Sequence, residues 1–151
     1  MKNIMLKIIG KQLSKNGSKE VVELITEGKY YSKGDATYLI YRETELSGVQ
    51  GCTTTLKITD DSINMKRFGA ASSEIKFEKG KRFNTHYNTP YGNIEMEVLT
   101  KKIENGINKK DATGFLNIEY DISLQGLIEG KNNLNIEILQ VSGLRSQVSG
   151  N

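Results

Sequence analysis

The sequence has one cysteine, one histidine, one proline and no tryptophan. A single thiol, Cys52, excludes an intramolecular disulfide, and with a single imidazole, His86, a zinc set of the usual cysteine and histidine kind is excluded too. So little cysteine fits a reducing compartment, and a cytoplasmic location is expected. No run approaches the roughly 18 continuous apolar residues that a membrane-spanning helix needs, so no membrane association is expected. An excess of one charge sign is also missing. The 21 basic residues are interspersed with 18 acidic ones, and a net charge of +3 demands no polyanionic partner. The apolar N-terminal stretch is interrupted by Lys7 and Lys11 and lacks a small-residue cleavage site, so it reads as a first strand rather than an export signal.

What is abundant is glycine, at 15 residues, together with Ile, Val, Thr and Tyr in period-2 alternation. That mixture favours strands and tight turns, and no helical stripe is found. The clearest hairpin is Arg82 to Thr100. Phe83, Thr85, Tyr87 and Thr89 share one face going in, Ile94, Met96, Val98 and Thr100 share one coming back, and Thr89-Pro90-Tyr91-Gly92 turns between them. Upstream, Ile4, Leu6 and Ile8 alternate up to an Asn16-Gly17 hairpin signal. Val22 and Leu24 follow, then a turn at Lys33-Gly34-Asp35. A strand from Thr37 to Glu45 places Leu39, Tyr41 and Glu43 on one face. Thr53 to Thr59, Ile63 to Phe68, and Ile75 with Phe77 continue the series. Downstream, a polar loop is expected over Glu104 to Thr113. Leu116 to Gln125 forms the cleanest amphipathic strand, a turn is expected at Glu129 to Asn133, and Leu134, Ile136 and Ile138 complete the set.

About ten short antiparallel strands expose least edge when they close on themselves. The expected fold is all-β, a single antiparallel up-and-down barrel of about 8–10 strands over residues 1–140, with a polar tail over 141–151. The stretches Leu24 to Gly28, Tyr41-Arg42-Glu43, Thr53 to Leu56, Arg67-Phe68-Gly69, Phe77 to Gly80 and Tyr87 to Gly92 together resemble the YwiB-like family, a bacterial domain of unknown function. The resemblance covers about Met1 to Gln140. It implies a calycin (lipocalin-like) β-barrel and no established activity.

Alternation carries Arg67 inward behind Ile63 and Met65, where an unpaired charge is costly. Glu43 is its expected partner, and Tyr41, Tyr87, Thr89 and Tyr120 are expected to line the same interior. The set would bind a small anionic, partly apolar ligand through the planar guanidinium. Its alternative is a self-satisfied ion pair tying strands together. His86 falls on the outer face, away from a partner for general-base work. Cys52 has no adjacent basic residue to activate it. Gly48-Val49-Gln50-Gly51 matches the glycine clamp of some RNA binders in spacing only. Lys66, Lys76, Lys79, Lys81 and Arg82, near Phe68 and Phe83, form a basic face that could hold single-stranded nucleic acid, although Glu74 and Glu78 interrupt it. No catalytic residues, metal or cofactor are expected. An interaction module using the outer face for RNA or a protein is the alternative function, and monomer and homodimer both stay open.

Overall fold

The computed structural model describes residues 1–14, 16–42, 52–69, 72–89, 92–124 and 128–140. Ten strands follow in chain order: β1 (Lys2–Ser14), β2 (Lys19–Lys33), β3 (Ala36–Arg42), β4 (Thr53–Ile58), β5 (Ser62–Phe68), β6 (Ser73–Glu78), β7 (Arg82–Thr89), β8 (Gly92–Asn105), β9 (Gly114–Leu124) and β10 (Ile128–Gln140). Every ladder is antiparallel and joins sequence neighbours, with one long-range pairing of β1 with β10. The result is the expected up-and-down barrel, nearly closed, its only unladdered seam among the described residues lying between β6 and β7. A tight turn bridges that seam: Lys81 N–H donates to Glu78 O, Gly80 N–H donates to Thr100 O at 2.8 Å, and Thr100 N–H donates to Lys81 O at 3.2 Å.

Strand alternation sorts side chains into a core and an outer face. Ile4, Leu6, Leu39, Leu56, Ile63, Phe77, Val98, Leu116, Ile118 and Ile136 have no exposed surface, and they come from eight different strands. Connections β2–β3, β4–β5, β6–β7 and β8–β9 leave at one end of the barrel. The β8–β9 loop covers that end. Its own Ala112 is buried, Lys109 Nζ donates to Asp35 O at 3.4 Å, and Lys2 Nζ donates to Asp111 O at 3.2 Å.

Two boundaries differ from expectation. Glu129 to Asn133 is not a turn but part of β10, because Gly130 to Asn133 pairs on both sides, with β9 and with the far end of β1. Ladder bonds on two edges hold even a Gly-Lys-Asn-Asn segment extended, against its local turn preference. Likewise β8 runs on to Asn105 past an irregularity between Thr100 and Lys102, so the polar loop shortens to 106–113.

Thr100 is fully buried, and its Oγ1 has no hydrogen-bond partner among the described residues. A buried, unsatisfied hydroxyl is costly, whereas a methyl of similar shape is not. Thr100→Val should therefore raise stability by about 1 kcal/mol. Urea denaturation reads this as a higher midpoint at unchanged slope, and a lower midpoint would mean the hydroxyl is satisfied.

Candidate functional site

The end of the barrel opposite the β8–β9 loop holds a cavity of ≈ 320 Å³. Its wall is mostly aliphatic, with Ile8, Val22, Leu24, Ile75, Ile122 and Leu134, joined by Met65 and Met96. Four polar side chains interrupt it: Tyr41, Arg67, Ser73 and Tyr120. Among the described residues the wall contains no carboxylate, imidazole, thiol or second cation.

Register explains the gathering. Tyr41 on β3 is opposite Thr54 on β4, Thr54 is opposite Arg67 on β5, and Arg67 is opposite Ser73 on β6. One cross-strand row thus presents two hydroxyls, a guanidinium and a third hydroxyl to the same interior. Tyr41 and Thr54 are buried and Arg67 is half-buried. Tyr120 comes from β9 and packs its ring on Phe77 of β6, with centroids 4.8 Å apart and planes tilted by 59°.

Of the sequence-based candidates, the structure brings Tyr41, Arg67 and Tyr120 to one cavity. Glu43, the expected partner of Arg67, lies outside the described residues, as does Gly48 to Gly51. Tyr87 and Thr89 are opposite Ile94 and Gly92 in register, and their side chains lie outside what is described. Ser73 and Thr54 were missed. Alternation counted backwards from Ile75 reaches Ser73, and counted back from Leu56 reaches Thr54, but only the register shows that both share a row with Arg67. His86 is exposed, with Glu95 opposite it, and Cys52 is a buried thiol ahead of β4.

The basic outer face is interleaved with carboxylates. Lys66 is 3.8 Å from Glu74, Lys76 is 4.0 Å from Glu78, and Lys81 is 2.7 Å from Glu78. Arg82 is paired with Glu97. The Lys81 hydrogen bond holds the Glu78 carboxyl below its ordinary value, with burial opposing and the charges of Lys81 and Lys76 reinforcing. Glu78 in turn holds the Lys81 ammonium above its own ordinary value.

Burial pushes the Tyr120 hydroxyl above its ordinary value of 10.0, and the Arg67 charge opposes with a smaller pull downward. The hydroxyl therefore stays protonated and able to donate at neutral pH. A folded-state value raised above the unfolded one means that the unfolded chain loses its proton first. Stability is then fully present below about pH 10 and falls as pH rises toward the folded value. Tyr120→Phe should flatten that alkaline decline, as read from denaturant midpoints between about pH 8 and 11. An unchanged slope would place the alkaline loss elsewhere.

Comparison with known proteins locates this barrel among relatives. A family model described as "Domain of unknown function (DUF1934)" matches residues 6–136. The chain is 29% identical over 122 residues to the "Uncharacterized beta-barrel protein YwiB" of Bacillus subtilis (strain 168), covering 80% of this chain and 82% of that one. The crystal structure of the ywiB protein from Bacillus subtilis superposes with a TM-score of 0.69 at 21% identity, over 90% of this chain and 91% of that chain.

Proposed function

The chain belongs to the DUF1934 family, an uncharacterised β-barrel family, and from that premise we propose that it is a non-catalytic barrel that binds a small, partly apolar anion at the Arg67 end of its interior. The observation that carries this reading is the meeting of Tyr41, Arg67 and Tyr120 in one ≈ 320 Å³ cavity whose remaining wall is largely aliphatic. Arg67 pairs the anion through its planar fork, while the tyrosines and Ser73 supply hydroxyl donors. Burial of the apolar body adds about 25 cal/mol per Å² removed from water. A cytoplasmic setting belongs to the same proposal and rests on the scarcity of cysteine. No helix of the described residues is long and apolar enough to cross a membrane.

Native mass spectrometry of protein purified from its own cells, set against the same sample denatured, tests this. The expected result is a mass excess of metabolite size that disappears in an Arg67→Ala variant with an intact β-sheet circular dichroism spectrum. A bare mass for the wild-type chain would turn the reading toward the outer face as an interaction surface. That alternative draws less support from the geometry, because Lys66, Lys76, Lys81 and Arg82 each have a carboxylate neighbour. Binding of RNA there would show a steep salt dependence and would be lost on charge reversal of Lys79, Lys81 and Arg82.

A further inference from the structure

We propose that the outward face of the β1–β2 hairpin, with the adjoining end of β10, docks on the surface of a lipid bilayer bearing anionic headgroups. This contact involves neither the cavity nor Arg67.

Three of the large aliphatic side chains that stay exposed share this face: Leu13 at 44%, Val21 at 53% and Ile25 at 59%. Ile9, half-buried, lies on the same face. Register sets a lysine directly opposite each exposed one. Lys7 is opposite Ile25, Lys11 is opposite Val21, and Leu13 lies between Lys19 on β2 and Lys131 on β10. Directly opposite residues point to the same side of a sheet, so ammonium groups and aliphatic chains alternate over three strands.

The charge of the array has one sign. Glu23, opposite Ile9, is its carboxylate, and Lys7 stands 3.8 Å from it. Glu20 is opposite Gln12 and belongs to the other face of the hairpin. Asp121, opposite Lys131, is 3.2 Å from Lys101. Lys11, Lys19 and Lys131 form no ion pair among the described residues. Elsewhere the outer wall sets cations against carboxylates, as Lys66 with Glu74 and Arg82 with Glu97. Opposite charges across strands stabilise a solvated face, whereas lysines set among bare aliphatics gain nothing from one another.

An anionic bilayer surface satisfies both halves of the array. Lysine stems lie along their apolar neighbours with the ammonium groups among headgroup phosphates, and the aliphatic tips enter the acyl boundary. Single-stranded nucleic acid fits less well, because the array holds no aromatic ring for a base to stack on. A second copy packed symmetrically on the same face would bring lysines against lysines. Docking from the surface needs no spanning helix, so the lack of a long apolar run, from which no membrane association is expected, does not bear on it.

The chain has no tryptophan, so Val21→Trp gives the full chain a single fluorescent reporter within the face. The wild-type chain should co-sediment with phosphatidylcholine vesicles containing about one-third phosphatidylglycerol, and at least about tenfold less with phosphatidylcholine alone. On the anionic vesicles the Val21→Trp emission should move to the blue and be quenched by brominated acyl chains. Lys57→Trp, at an exposed position on β4, is the control and should keep its emission unchanged. Lys11→Gln and Lys19→Gln should each weaken binding about fivefold, the factor for one charge near an anionic surface. Ile25→Ser should weaken it as well, with the salt dependence kept. Failure of the wild-type chain to co-sediment with the anionic vesicles, equal binding to both vesicle types, or a shift at Lys57→Trp as large as at Val21→Trp overturns the docking face. A Val21→Trp shift that follows protein concentration or added single-stranded DNA, with none on vesicles, overturns it in favour of a second copy or of nucleic acid.

Discussion

Phe77→Ala is expected to lower stability by about 3–5 kcal/mol, with a fall in melting temperature on the order of 10 °C. Phe77 is fully buried on β6, an edge strand whose only ladder among the described residues is with β5. Its ring reaches across the seam to Tyr120 on β9, so it replaces with side-chain packing the hydrogen bonds that β6 lacks toward β7. Truncation removes the transfer energy of a large aromatic and leaves a void the neighbouring walls fill only in part. It also removes the aromatic pair, itself worth about 0.5–1.5 kcal/mol beyond area. Phe77→Leu should recover more than half of the loss, because volume is nearly kept. Denaturant unfolding of the three proteins checks both statements. A loss below about 1 kcal/mol for the alanine variant would mean that the seam is not held by this ring.

Gly114→Ala is expected to cost about 2–4 kcal/mol, far more than most glycine-to-alanine changes. Gly114 opens β9 with φ at +118°, a region that residues with a side chain rarely enter. The added Cβ would lie 2.1 Å from the Gly106 carbonyl oxygen and 3.0 Å from Ile107 Cα, so the loop backbone itself has to move. That movement strains the bond from Gly106 N–H to Phe115 O, now 2.9 Å, and the cover over the closed end of the barrel. Gly10→Ala is the matched contrast. With open space around its Cβ and no positive φ, it should gain about 0.4–1 kcal/mol through the unfolded chain alone. Equal effects at the two positions would show that the β8–β9 loop adapts freely.

The barrel and its inner face are decided by period-2 alternation, a local property of the sequence. Ile4, Leu6 and Ile8 share one face in alternation, as do Leu39 with Tyr41 and Ile63 with Met65, and all seven are buried. Glycine signals marked the turns for the same local reason: Gly17, Gly34 and Gly80 all have positive φ where the chain reverses. The inward path of Arg67 was legible because it stands two residues beyond Met65. Alternation has no term for the neighbouring strand, however, and there the sequence falls silent. Only the register sets Tyr41, Thr54, Arg67 and Ser73 in one row, because the pairing partners lie 6 to 13 residues apart and a one-residue slip would turn each strand inside out. Only the tertiary structure makes Gly130 to Asn133 a strand, since the bonds that hold it come from β1 and β9 rather than from its own residues. The cavity is likewise tertiary. Its space depends on Gly10 lacking a side chain and on Phe77 drawing Tyr120 across the seam, contacts between strands that no reading along a single strand contains.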